Sequence, residues 1–215
     1  MGKTTRFIST FDWIAPVYDL LASVVFGRKL QQAQVVFLTD IPPKASVLLA
    51  GGGTGWLLEQ LLMKRNPKRV LYLEASVRMV ALASQRIIQK AVLGTVEYRV
   101  DTIMHLPNGD QFDIVITPFL LDLFPEETLQ SSLIPQLRNS LKPNGIWLVA
   151  DFIGTDVWWQ KTLLWAMIRF FRLTAGIETT QLADWQRLLA EAGLSLQKRQ
   201  PCVGGMVSTE VWHLK

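Results

Sequence analysis

The stretch Val47-Leu48-Leu49-Ala50-Gly51-Gly52-Gly53-Thr54-Gly55-Trp56-Leu57-Leu58 decides how this chain is read. A short, wholly apolar run enters a cluster of glycines and leaves as the start of a helical pattern. Such a run reads as a buried strand, because a strand covered on both faces shows no alternation of apolar and polar positions. Glycines at its end permit a tight turn and let the backbone approach a ligand closely. In open α/β sheets, ligands bind outside the carboxyl ends of the strands, where such turns lie. The spacing is Gly-x-Gly-x-Gly, through Gly51, Gly53 and Gly55. A dinucleotide fingerprint needs Gly-x-Gly-x-x-Gly, and Trp56 takes its last place. That weakens the pyrophosphate reading, and a tight strand-to-helix turn with no ligand stands beside it.

Outward from this turn, apolar runs alternate with helical patterns. The runs are Ser46 to Ala50, Arg69 to Leu73, Val96 to Val100, Asp113 to Ile116 and Ile146 to Ala150. Helical patterns such as Trp56 to Lys64 and Val77 to Lys90 lie between them. Short buried strands separated by helices predict a parallel sheet with helices on both faces. Ala183 to Ala192 reads as a helix closed by Gly193. Two further runs, Leu194 to Arg199 and Met206 to His213, are separated by Gly204-Gly205. They are too close for a parallel crossover and predict an antiparallel hairpin. Upstream, residues 10 to 40 read as helical, and Pro42-Pro43 ends that region.

The chain has 215 residues, a formal net charge of +4 and a 49% hydrophobic content. This balance suits one domain with a full core and opposes disorder. We read it as a single domain: a helical cap over 1–40, a core over 44–152 and 178–215, and an apolar insertion over 153–177. The basic residues are scattered. Their densest cluster, Lys64, Arg65, Lys68 and Arg69, surrounds a helix end at Asn66-Pro67, where positive side chains complement the helix dipole. No nucleic-acid partner is therefore expected. The single cysteine, Cys202, cannot form an internal disulfide, and no Cys/His spacing suggests a metal. With no signal-peptide core and no confident membrane span, the expectation is a cytoplasmic protein.

Two acids follow the next strands. Glu74 ends Val70-Leu71-Tyr72-Leu73-Glu74-Ala75-Ser76, about twenty residues beyond the glycine turn. A carboxylate there can accept both hydroxyls of a ribose; alternatively Glu74 or Ser76 caps the following helix. Asp101, in Arg99-Val100-Asp101-Thr102, ends the third strand and could accept an adenine amino group.

The order of glycine turn, Glu74, Asp101, Phe112-Asp113-Ile114-Val115-Ile116 and Leu141-Lys142-Pro143-Asn144-Gly145 resembles the class I S-adenosylmethionine (SAM) dependent methyltransferases. Glu191-Ala192-Gly193-Leu194 before the hairpin strengthens the likeness, which covers residues 44–152 and 180–215. The resemblance implies a Rossmann-like seven-stranded sheet with an antiparallel last strand, and SAM as cofactor. It implies that Gly51, Gly52, Gly53 and Gly55 lie against the methionine part and that Glu74, followed by Ala75, holds the ribose. Asp101 and Thr102 would border the adenine, and Thr117 would lie near the amino-acid end. Where the family carries an acid two residues before the first glycine, this chain has Leu49. Phe11-Asp12-Trp13-Ile14-Ala15-Pro16-Val17-Tyr18-Asp19 resembles the start of the ubiquinone and menaquinone biosynthesis methyltransferases. That likeness fades at Phe119-Leu120-Leu121-Asp122-Leu123.

No catalytic base stands out. Tyr18, Asp122 and Asp151 face the expected pocket; Asp122 also reads as a helix cap and Asp151 as a turn residue. His105 and His213, the only histidines, read as structural. The insertion carries Trp158, Trp159, Trp165 and Phe170 among Lys161, Arg169 and Arg172. It reads as core packing, as a lid over an apolar acceptor, or as a homodimer or peripheral membrane contact with the cations outward. The expectation is methyl transfer to a small apolar or aromatic molecule. A non-catalytic nucleoside-binding module is the alternative, and a nucleotide-dependent oxidoreductase is opposed by the glycine spacing.

Overall fold

The computed structural model describes residues 26–103, 106, 109–174 and 179–214. The apolar run before the glycines is strand β1 (Ser46–Ala50), buried along its whole length. It pairs in parallel with β2 (Arg69–Glu74) on one side and β4 (Phe112–Pro118) on the other. With β3 (Val96–Val100), β5 (Leu141–Phe152), β6 (Leu194–Cys202) and β7 (Val207–Leu214), the sheet has seven strands in the order β3-β2-β1-β4-β5-β7-β6. β7 runs antiparallel to both β5 and β6. The chain winds outward in opposite directions from β1 and β4, so a topological switch point lies where these two strands end.

Side-chain alternation along the central strands builds one core on each face of the sheet. Leu48, Leu71, Val115 and Trp147 point to the side covered by α4 (Ile134–Asn139) and α6 (Trp185–Glu191). Val47, Leu49, Tyr72 and Ile116 point to the side covered by α2 (Trp56–Arg65) and α3 (Val77–Gln89). A third cluster lies beyond the carboxyl ends of β4 and β5. There Phe119 and Phe152 pack with Phe26 and Leu30, and with Leu164 of α5 (Trp158–Thr174). Leu30 belongs to α1 (Lys29–Val35), the part of the expected N-terminal helical region that falls among the described residues.

The structure departs from the sequence reading in several places. β3 is an edge strand with Glu97 and Val100 exposed, so it lacks the two-sided burial expected of it. β5 is longer than Ile146 to Ala150 because Leu141–Gly145 already belongs to it as a bulge. Phe112 pairs with Leu141 and Ile114 with Ile146, so the loop bows out between them. Asn144 turns left-handed there, at φ 62°. A Cβ on Gly145 would lie 2.8 Å from the Lys142 carbonyl, which explains the glycine. α6 starts at Trp185, not Ala183, because the Asp184 carboxylate accepts from the Arg187 amide and caps it (3.1 Å). The residues over 126–139 are also helical, which their sequence pattern does not show. Their π-turn, Leu129–Leu133, sits just ahead of Pro135, whose missing N–H breaks the regular ladder.

Basic residues near 64–69 serve the fold. Arg65 donates to the Ile41 carbonyl through Nε at 2.7 Å, and Arg69 lies 5.0 Å from the centre of the Phe112 ring. Among the described residues, no helix is long and apolar enough to cross a membrane, and no cluster of three potential metal ligands occurs.

Candidate active site

At the switch point the glycine turn is braced from below. Tyr72, fully buried in β2, donates its hydroxyl to the Gly53 carbonyl at 2.6 Å. A Cβ on Gly52 would stand 2.3 Å from the Tyr72 ring, so that position must be glycine. Gly55 starts α2 with φ 82°, and a Cβ there would lie 2.7 Å from Ala83, so glycine lets α2 approach α3. Gly53 differs. Its φ is 62°, and a Cβ on it would meet none of the described residues within 4 Å. Among the described residues, the turn is thus a cradle, braced beneath and uncovered above Gly53.

Glu74 closes one side of this cradle. Its carboxylate accepts from the Gly53 amide at 3.1 Å and from the Ser76 amide at 3.2 Å. Ser76, not Glu74, caps α3, by accepting from the Met79 amide at 3.1 Å. The capping reading of this segment therefore falls on Ser76. Asp101 is drawn to the same place, its amide donating to the Glu74 carbonyl at 3.1 Å. The Asp101 carboxylate accepts from the Thr102 amide at 2.7 Å. The Thr102 hydroxyl is buried and finds no hydrogen-bond partner among the described residues. Ala75, half-buried, completes the turn between Glu74 and Ser76. The glycines, Glu74, Asp101 and Thr102 form one continuous rim.

The loop after β4 supplies the other wall. A Cβ on Gly51 would lie 2.9 Å from Leu120, so this loop rests on the glycine turn. Phe119 turns it sharply, with φ 51° and its amide on the Ala150 carbonyl at 2.7 Å. Asp151 then holds it. One carboxylate oxygen accepts from the Leu120 amide at 3.1 Å and the Leu121 amide at 2.7 Å. Asp151 is a fully buried strand residue, which corrects its reading as a turn residue. Asp122 lies against it, in the short 3-10 turn Leu121–Leu123, and one of its oxygens has no partner among the described residues. It caps no helix.

The two acids perturb each other. Burial pushes Asp122 up to about 6, against the lowering effect of its hydrogen bond with Asp151. Burial, and then the nearby Asp122 charge, raises Asp151 well above the usual carboxylate range, while the Leu121 and Phe152 amides work the other way. Two carboxyls held this close out of water retain a proton between them more readily than either would alone. The pair is therefore a hydrogen-bonding site and a candidate proton acceptor at the carboxyl ends of β4 and β5. The sequence showed two acids after two apolar runs; their contact depends on the turn at Phe119.

Other candidates are placed differently. The Thr117 hydroxyl lies in the core and accepts from the Trp147 indole at 3.0 Å. Leu49 packs in the core between β1 and α2 and serves burial. His213 pairs with Ile146 at the start of β5, the end of the sheet away from the site. Tyr18 and His105 lie outside the described residues.

A family model for a methyltransferase domain matches residues 47–145. A demethylmenaquinone methyltransferase of Lactiplantibacillus plantarum is 31% identical over 141 residues, which cover 62% of this chain and 56% of that protein. The match thus spans about half the length of that relative. Among solved structures, the N-methyltransferase NodS of Bradyrhizobium japonicum, in complex with S-adenosyl-L-homocysteine, superposes with a TM-score of 0.66 at 17% identity. That superposition covers 88% of this chain and 87% of NodS. The 1,6-didemethyltoxoflavin-N1-methyltransferase of Burkholderia thailandensis, with bound 1,6-didemethyltoxoflavin and S-adenosylhomocysteine, gives 0.69 at 13% identity. It covers 97% of this chain and 88% of that one. Residues 47–145 thus match the model of a methyltransferase domain, and the chain shares its fold with these solved methyltransferases.

Proposed function

We propose that this chain is an enzyme that transfers a methyl group from SAM to a small, mostly apolar acceptor. The observation that carries this reading is the Glu74 carboxylate, bonded to the Gly53 amide at 3.1 Å beside a turn that no described residue covers above Gly53. A buried carboxylate at that place suits a ribose diol, and Asp101 with Thr102 beside it suits a nucleobase edge. Gly51 and Gly53 would line the methionine part. Bound SAM would supply a methyl group on a sulfonium; an acceptor lone pair would form the new bond as the sulfur–methyl bond breaks, leaving the neutral thioether S-adenosylhomocysteine.

The residues contribute position and exclusion of water. Orienting two reactants in a dry site can supply several kcal/mol, up to about 7–11 in ideal cases. Phe119 and Phe152, ring centres 5.4 Å apart, offer an apolar wall beyond the strand ends. Asp122 and Asp151 beside them offer a polar group to orient the acceptor or take its proton. An aromatic or quinol-like acceptor matches this mixture, in keeping with the relative named as a demethylmenaquinone methyltransferase. The Leu49 position supports a second reading, a nucleoside-binding module without turnover.

Calorimetric titration with S-adenosylhomocysteine tests the cofactor. The wild-type chain is expected to bind in the micromolar range. Glu74→Ala should weaken binding by roughly ten- to a hundredfold, the value of a charge-assisted contact, and Glu74→Gln by less. Absence of binding by a folded wild-type chain would overturn the proposal. Tight binding without turnover across phenols, quinols and amines would favour the module.

A further inference from the structure

α5 has two faces of different character. Gln160, Leu164 and Ile168 face inward; Leu164 and Ile168 are among its buried apolar residues, and the Gln160 amide donates to the Gly204 carbonyl at 2.9 Å. The outward face runs through Trp158, Trp165, Arg169 and Arg172, spaced by seven, four and three residues and so aligned along one side. Trp158 is 78% exposed, Trp165 57% and Leu173 86%. Among the described residues, every exposed tryptophan lies on this helix, whereas Trp147, Trp185 and Trp212 are buried. No Asp or Glu occurs between Trp158 and Thr174. Arg169 stacks on Trp165 at 5.0 Å, which keeps the cation beside the ring.

We propose that this face rests on the surface of an anionic lipid bilayer. Lys161 pairs with Asp156 just ahead of the helix at 3.3 Å, which leaves Arg169 and Arg172 as the cations of this face. A helix that carries tryptophan and leucine beside arginine suits the plane of a membrane interface: the rings enter the headgroup region and the cations meet lipid phosphates. Charge argues against a second copy as the occupant. A two-fold interface would bring two copies of the same cationic face together, with no acid between Trp158 and Thr174 to neutralise them. The outward residues also cannot line the catalytic site, because they point away from the core that the helix covers.

The proposal deepens the methyl-transfer reading and rests on it for its purpose. The inner face of α5 packs with Phe119 and Phe152, at the ends of the strands that carry Asp151 and precede Asp122. One helix diameter, about 10 Å, then separates the lipid surface from the acceptor wall. An apolar acceptor dissolved in the bilayer would reach the site without crossing bulk water.

The test is flotation of the full chain with phosphatidylcholine vesicles, with and without phosphatidylglycerol, alongside S-adenosylhomocysteine calorimetry on the same preparations. Binding is expected to phosphatidylglycerol-containing vesicles, with at least a tenfold loss in high salt. Trp158→Ser with Trp165→Ser, and separately Arg169→Glu with Arg172→Glu, should each lower it about tenfold or more. Both double variants should retain wild-type melting and nucleoside affinity, which separates a lost surface from a lost fold. No binding of the wild-type chain to anionic vesicles would overturn the proposal. So would a concentration-dependent dimer in sedimentation that the same substitutions abolish, since the face would then join two copies. Vesicle binding by a chain that ignores S-adenosylhomocysteine would leave the surface standing and remove the methyl-transfer reading.

Discussion

A Cβ placed on Gly52 would strike the Tyr72 ring, whereas one on Gly53 would meet none of the described residues within 4 Å. The two glycines are adjacent, yet one is required by packing beneath the turn and the other only by its left-handed backbone. Gly53→Ala should therefore cost only about 1–2 kcal/mol of stability, the penalty of a left-handed alanine. It should cost S-adenosylhomocysteine affinity about tenfold or more, because the added methyl occupies ligand space. Parallel melting and calorimetry check this, and an unaltered affinity would mean that no ligand lies against Gly53. Gly52→Ala should instead disturb the fold. Glycine spacing and Glu74 were legible in the sequence because both stand at fixed offsets from an apolar run. The division of labour was not legible, since Tyr72 reaches Gly53 only after β1 and β2 pair.

The elements show where periodicity suffices and where it fails. β1, β2 and β4 were readable because both of their faces are covered, which leaves apolar runs whose polar residues fall near the strand ends. β3 matched as a strand but not in burial, because an edge position does not show in five residues. The stretch over 126–139 escaped because Pro135 and the π-turn break its helical period. β7 carries an acid that no pattern explained. Glu210 is fully buried and accepts from the Arg199 guanidinium at 2.6 Å, the Ser208 hydroxyl at 2.7 Å and the Trp212 indole at 2.9 Å. The Gln186 side chain donates to it as well. These bonds tie β6, β7 and α6 together at the antiparallel side of the sheet. Glu210→Ala would orphan the buried Ser208 and Trp212 donors, at roughly 1–3 kcal/mol each. Chemical denaturation should show that loss, and Arg199→Ala, which removes a half-exposed partner, should cost less.

Across the whole molecule, the two ends of the sheet carry acids of opposite character. At the amino ends, Asp113 accepts from the Ser46 hydroxyl at 2.6 Å and from Lys142 at 2.7 Å. Desolvation raises its pKa, but the bonds from Lys142 and Ser46 outweigh it and hold the group down to about 2. At the carboxyl ends, Asp122 is pushed up to about 6, chiefly by burial. Linkage gives these shifts opposite signs. Asp113 contributes stability that is present above its unfolded value of 3.8 and is lost as pH falls through 2. Asp122 contributes stability that is complete below 3.8 and is lost as pH rises through about 6, because the folded state holds a proton that the unfolded chain has released. Asp122→Asn should therefore match the wild type near pH 4 and gain on it steadily towards pH 7. Asp113→Asn should trail the wild type by a constant margin above pH 5 and close on it as the pH falls below 4. Denaturation midpoints measured from pH 3 to 8 for the three proteins check both trends. A flat difference for Asp122→Asn would mean that the buried pair does not retain its proton. The acids beside the acceptor wall would then be ionised throughout the neutral range, and their place in the site would be that of a fixed negative charge.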